Sequence, residues 1–105
     1  MKTMPLVEFH DLYRDDLTIV DVREPSEYVQ GHVPGAVLIP LGQLPNRKAE
    51  VPVGVPVYVI CRSGNRSKVG AEVLAYAGYD AVSVDEGTMG WINRGWPVVT
   101  GTDVK

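Results

Sequence analysis

The chain has 105 residues, 45% of them hydrophobic and 22% charged, with a net charge of −3. That length fits one domain, and this apolar content excludes a disordered chain. No apolar run approaches a membrane span, and the acidic balance gives no reason to expect nucleic acid as a partner.

Met1 to Pro5 lacks the apolar stretch and cleavage site of a secretory signal. The single cysteine, Cys61, excludes an internal disulfide, so a cytoplasmic, reducing location is the expectation. Charge is unevenly spread. Residues 61–70 hold the cations Arg62, Arg66 and Lys68 and no acid, which marks a local anion site in an acidic protein.

Short β-rich runs alternate with helical stretches, a pattern that argues for an α/β layer fold with a mostly parallel sheet. Leu6, Phe9, Leu12 and Tyr13 form an apolar stripe at helical spacing. His10 falls on the polar side of that helix and is expected to be solvated. Leu17 to Val22 reads as a central strand. Pro25 to Gln30 predicts one or two helical turns, with Pro25 suited to the first position. Gly31-His32-Val33-Pro34-Gly35 is a turn-rich connection. Within it His32 reads as a hydrogen-bonding structural residue rather than a general base.

Ala36 to Ile39 is a second strand, and residues 42–55, with weak periodicity, are assigned no element. Val57 to Ile60 is the third strand, with Pro56 confined to its start. Ser67 to Ala77 is the clearest helix: small or apolar residues recur at 69, 70, 73, 74 and 77, and Gly78 is placed to end it. Ala81 to Val84 is a fourth strand and Met89 to Asn93 a short helix, before Gly95-Trp96-Pro97-Val98 closes the domain. Trp91 and Trp96 are candidates for a pocket wall, with core packing expected of at least one.

In open parallel sheets, sites lie beyond the carboxyl ends of the strands. Asp21-Val22-Arg23 ends one strand, Cys61 follows another and Asp85-Glu86-Gly87 a third, so three polar clusters converge on one edge. In Cys61-Arg62-Ser63-Gly64-Asn65-Arg66-Ser67 the thiol meets two arginines, small hydroxyl residues and the free N–H groups of a helix start. Each favours negative charge. Burial after Val57-Tyr58-Val59-Ile60 would also suit a core cysteine, but this polar, dicationic continuation favours a nucleophile.

Successive N–H groups of residues 62–67 make an anion-binding concavity, with Gly64 free to take backbone conformations closed to other residues. They should depress the thiol pKa below about 8.5. Arg62 is assigned to an anionic substrate. Arg66 has two readings: it binds substrate, or it pairs with a carboxylate such as Asp21 and braces the loop. Ser63 and Ser67 can donate to an anion or cap the helix, capping being preferred for Ser67. Asp21 and Arg23 read as supports behind the site. One cysteine and two separated histidines give no metal-ligand spacing, and no cofactor is expected.

Taken in order, these segments resemble the single-domain rhodaneses, a family of sulfurtransferases. Asp21-Val22-Arg23 resembles the family's Asp-Val-Arg segment, and Gly31-His32-Val33-Pro34-Gly35-Ala36 with Ile39-Pro40 its Gly-His-Ile-Pro-Gly-Ala turn. Cys61 to Ser67 is similar to the active-site loop, and Glu86-Gly87, Trp91 and Gly95-Trp96-Pro97-Val98 to the C-terminal block. The family often has two consecutive glycines where this chain has Gly87-Thr88. The resemblance implies a single rhodanese-like domain over residues 1–105. Its fold would be three-layer α/β, a central mostly parallel sheet of about five strands with helices on both faces.

The implied reaction is double displacement. Cys61 thiolate takes the outer sulfur of thiosulfate, cradled by the loop N–H groups, and passes it to cyanide or a thiol acceptor, a protein thiol included. A monomer is expected. Two other classes compete. Dual-specificity phosphatases and arsenate reductases of related fold place five residues between Cys and Arg, whereas four separate Cys61 from Arg66 here. A persulfide carrier or regulatory binding module is the other; inactive copies commonly lose the cysteine, which this chain keeps.

Overall fold

The computed structural model describes residues 1–105. Along the chain run β1 (Lys2–Met4), α1 (Leu6–Leu12), β2 (Thr18–Asp21), α2 (Pro25–Gln30), β3 (Ala36–Leu38) and α3 (Leu44–Arg47). Then follow β4 (Pro56–Ile60), α4 (Asn65–Tyr76), β5 (Asp80–Val84) and α5 (Gly87–Asn93). The strands form one sheet in the order β1-β5-β4-β2-β3, and every neighbouring pair is parallel.

Alternation along the strands divides the core between the two faces of the sheet. Val57, Val59 and Cys61 pack with Leu44 of α3 and Ala71 and Leu74 of α4. Tyr58 and Ile60 pack on the other face with Leu6 and Phe9 of α1 and Trp91 of α5. Each large apolar side chain so buried contributes on the order of 1.5–3 kcal/mol, and the three layers follow from that alternation.

β1 has no counterpart among the expected strands. Three residues carry no readable period; what makes them a strand is pairing with β5, Lys2 opposite Val82 and Met4 opposite Val84. Residues 42–55 hold two single 3-10 turns and α3, anchored by buried Leu44 and Val51 and by the Tyr79 hydroxyl donating to the Lys48 carbonyl at 2.6 Å.

Three expectations need correction. α4 starts at Asn65, two residues before the expected start, with Gly64 at its N-cap in the left-handed region at φ 104. Ser67 therefore lies inside the first turn and is not the cap. α5 likewise begins at Gly87 rather than Met89. His10 is only partly solvated: half-buried, its ring stacks on Trp96 at 3.6 Å and meets Trp91 edge-on at 5.4 Å. Trp91 is buried, its indole N–H donating to the Pro97 carbonyl at 2.6 Å.

His32 is also fully buried, with Nδ1 2.8 Å from the Tyr28 carbonyl oxygen and Nε2 2.6 Å from that of Asp103. Both ring nitrogens are thus occupied by backbone, which ties the C-terminal segment to the α2–β3 connection.

Candidate active site

β2 and β4 are neighbours, but the chain leaves them in opposite directions, towards β3 on one side and β5 on the other. The crevice at their carboxyl ends is the topological switch point, where open parallel sheets place ligands. Asp21 is the last residue of β2 and Cys61 the first after β4.

The loop after β4 curls tightly around the sulfur. The Gly64 N–H donates to Cys61 Sγ at 3.1 Å, and the Ser67 hydroxyl lies 3.5 Å from it. Ser67 Oγ is in turn 2.8 Å from Ser83 Oγ on β5, both side chains being fully buried. When the sulfur is ionised, Ser67 donates its proton to it and accepts from Ser83, so a buried chain of hydroxyls points at the thiolate. Cys61 is only 1% exposed. Burial pushes its thiol up, but the Ser67 hydroxyl and the N–H groups of Ser67, Gly64 and Ser63 outweigh it and hold the thiol below its ordinary value.

A pH experiment follows from this geometry. The alkylation rate of Cys61 should rise with pH through its depressed pKa and level off at lower pH than a free thiol does. Ser67→Ala should move that curve to higher pH by roughly one unit, the worth of one hydrogen bond to a charge. Ser83→Ala should move it the same way by less. An unmoved midpoint in Ser67→Ala would mean that the backbone alone stabilises the thiolate.

The two loop arginines have different surroundings. Arg66 forms a two-pronged pair with Glu27 of α2, Nη1 to Oε1 at 2.6 Å and Nη2 to Oε2 at 2.8 Å, and not with Asp21. Its hydrogen bonds hold the Glu27 carboxyl down at about 2, so this brace stays charged at any ordinary assay pH. Asp21 is instead taken by Arg23. Its Oδ1 accepts from Arg23 Nε and N–H, both at 3.0 Å, its Oδ2 accepts from Nη2 at 2.9 Å, and Arg23 Nη2 also donates to the Gly31 carbonyl at 2.9 Å. Arg62 is the one arginine with no carboxylate partner.

α5 seals the other side of the loop. The Thr88 N–H donates to the Cys61 carbonyl at 2.8 Å and the Met89 N–H to that of Arg62 at 3.0 Å. Gly87 sits at φ +59, and a Cβ there would fall 2.4 Å from the Cys61 carbonyl oxygen. Only glycine fits this approach. The next position differs: Thr88 is fully buried and its hydroxyl has no hydrogen-bond partner, a cost of about 1–3 kcal/mol.

Beside the loop lies a cavity of about 250 Å³ lined by Arg23, Glu27, Gln30, Arg62, Met89 and Ile92. Trp91 and Trp96 are not among its walls. Sequence reasoning missed Glu27, Ser83, Met89 and Ile92. Their partners are distant in the chain, 39 residues for Glu27 with Arg66 and 16 for Ser83 with Ser67, and no local spacing signals them.

A single cysteine whose sulfur accepts a loop N–H at the switch point of a parallel sheet is placed to carry a group on its sulfur. The chain belongs to the rhodanese-like domain family, whose model matches residues 6–94. It is 36% identical over 86 residues to a sulfurtransferase of Allochromatium vinosum, covering 81% of this chain and 80% of that one. Two Bacillus subtilis relatives are longer, and the chain spans 44% and 58% of them.

Among solved structures, a rhodanese-related protein from Thermoplasma volcanium superposes with a TM-score of 0.88 at 30% identity, over 96% of this chain and 100% of that one. A rhodanese from E. coli, solved with anions, superposes with a TM-score of 0.67 at 37% identity, over 80% of this chain and 98% of that one. The family and these relatives make this a sulfurtransferase-type domain. No helix is long and apolar enough to cross a membrane.

Proposed function

We propose that the protein is a thiosulfate sulfurtransferase that works through a persulfide on Cys61. The Cys61 thiolate attacks the outer sulfur of thiosulfate; a new S–S bond forms, the bond to the sulfonate sulfur breaks, and sulfite leaves with that electron pair. An acceptor, cyanide or a thiolate, then attacks the terminal sulfur and Cys61 leaves as thiolate. No oxidant or reductant is needed. With no second cysteine in the chain, the acceptor must be external.

The observation that carries this reading is the sulfur held by the Gly64 N–H at 3.1 Å beside an arginine free of any carboxylate. The loop N–H groups would serve the terminal sulfur, and Arg62 the sulfonate. The enzyme would act as a monomer in a reducing, cytoplasmic setting, where its thiol stays free. The short Cys61-to-Arg66 spacing, with Arg66 engaged by Glu27, speaks against phosphate or arsenate chemistry.

Intact mass tests the reading directly. Incubation with thiosulfate should add one sulfur to the protein, and cyanide should remove it as thiocyanate. No gain in mass, with Cys61 still open to alkylation, would defeat it; phosphate release from an aryl phosphate and arsenate reduction would then be assayed. For Arg62→Ala, the apparent KM for thiosulfate should rise about tenfold and that for an uncharged persulfide donor much less. Equal effects on both donors would remove Arg62 from the sulfonate.

A further inference from the structure

We infer that residues 101–105 form a proton-dependent strap, fastened while His32 carries hydrogen on both ring nitrogens and released when it loses one. The inference is independent of the sulfur-transfer reading. It starts from the two partners of the ring. Nδ1 lies 2.8 Å from the Tyr28 carbonyl oxygen and Nε2 2.6 Å from that of Asp103. A carbonyl only accepts, so each contact is a hydrogen bond only where the ring supplies an N–H. Neutral imidazole has one N–H and one lone pair; the imidazolium alone has two donors. With a neutral ring, a nitrogen lone pair would face a carbonyl oxygen in a site closed to water, since His32 is fully buried.

The surroundings suit a charge that lasts only while the strap is closed. The His32 ring stacks on that of Tyr28, centroids 3.6 Å apart and 6° from parallel, a cation over an aromatic face. No carboxylate bonds the ring. On β2, Asp21 is paired with Arg23, whose Nη2 reaches the carbonyl of Gly31 beside His32. On α2, Glu27 is paired with Arg66. On the strap, Asp103 offers the ring its backbone, and Lys105 lies 3.9 Å from Asp15. Without a counter-ion of its own, the charge is held by the two carbonyls and the Tyr28 ring against the cost of burial.

Little else holds the strap. Residues 102–105 are exposed. Two backbone hydrogen bonds, each 2.8 Å, tie the segment down: Gly101 N–H to the Val29 carbonyl, and Gly35 N–H to the Val104 carbonyl. Such a segment lies at the low end of local stability, where one charge-assisted bond decides between closed and open. Upstream, Val99 and His32 exchange two backbone hydrogen bonds of 2.9 Å, so the chain stays anchored there when the strap lifts. Lifting admits water to Nε2, which then accepts from water while Nδ1–H keeps the Tyr28 carbonyl; the lost proton goes to solvent. The closed form thus binds one proton more than the open form with a neutral ring, and closure weakens as pH rises. Gly31, the residue before His32, lines the cavity beside the Cys61 loop, so the switch sits one residue from the candidate active site.

The test is nuclear magnetic resonance of the whole protein between about pH 5 and about pH 9. Side-chain nitrogen shifts of His32 distinguish the imidazolium from either neutral tautomer. Exchange protection of the Gly35 and Gly101 amides, taken relative to the intrinsic rate at each pH, reads strap closure. The Val22 amide, which donates to the Ile60 carbonyl inside the sheet, reads the fold. Imidazolium shifts should accompany full strap protection at low pH. Above the titration of the ring, strap protection should fall about tenfold per pH unit until it is lost, as one proton per closure requires. Protection of Val22 should not change.

His32→Gln removes the titrating group, so its strap should be less protected than the wild type's at low pH and insensitive to pH. Asp103→Asn keeps the backbone carbonyl and should keep the wild-type pH dependence. A neutral ring with the strap still protected would overturn the inference. So would wild-type protection that ignores pH, a pH dependence that persists in His32→Gln, or one that vanishes in Asp103→Asn. Should His32→Gln not fold, the wild-type ring shifts and strap protection decide alone.

Discussion

Cys61→Ser is expected to abolish persulfide formation and to lower sulfur-transfer turnover by at least about a thousandfold, because every step of the proposed reaction passes through this sulfur. Serine is the informative replacement. Alanine would leave the Gly64 N–H without its acceptor and the Ser67 hydroxyl without its neighbour, adding the cost of buried unsatisfied groups. Serine keeps an acceptor in the same place. Cys61 packs with Val59 and Ala71, so losing the larger sulfur should cost on the order of 1–2 kcal/mol. Thermal unfolding should therefore show a folded but inactive protein. Retained turnover in the folded variant would remove Cys61 from the reaction.

Asp21→Ala is expected to cause the largest loss of stability, roughly 3–5 kcal/mol, because it strands a buried guanidinium. Asp21 is fully buried and Arg23 only 5% exposed, and the two share hydrogen bonds through both carboxylate oxygens. Against a typical total of about 5–15 kcal/mol, that loss is decisive. It should lower the melting temperature by at least about 12 °C in a domain of this size. The double variant Asp21→Ala with Arg23→Met should recover part of it, since no charge then remains to be matched. A loss under about 1 kcal/mol would mean that Arg23 swings into the neighbouring cavity, which it lines, and finds water there. Arg23 also donates to the carbonyl of Gly31, another cavity residue, so its loss alters the cavity as well as the fold.

Elements with a strong local pattern were legible in the chain alone. β2 and β4 announce themselves by β-branched residues, and α4 by its small-residue face and the Gly78 stop. Their ends were harder. The start of α4 depends on how the loop curls around the sulfur: once the Gly64 N–H faces Sγ, with Gly64 at φ 104, the helix can begin at Asn65. That shift turns Ser67 from an expected cap into a buried donor. β1 was invisible because its hydrogen bonds are to a strand some eighty residues away.

The proposed nucleophile was written locally, since one cysteine, a glycine, two arginines and a helix start lie within seven consecutive residues. Adjacency in the chain guarantees adjacency in space there, and the field around the thiol follows from it. The division of labour between the arginines was not. Arg66 and Arg62 are chemically identical, and only the packing of α2 against the loop gives Arg66 a carboxylate and leaves Arg62 free. The Ser83 hydroxyl and the Met89–Ile92 wall arrive in the same way, from β5 and α5. Partner choice among like groups is decided by distance in the folded state, a quantity that composition and spacing along the chain do not contain.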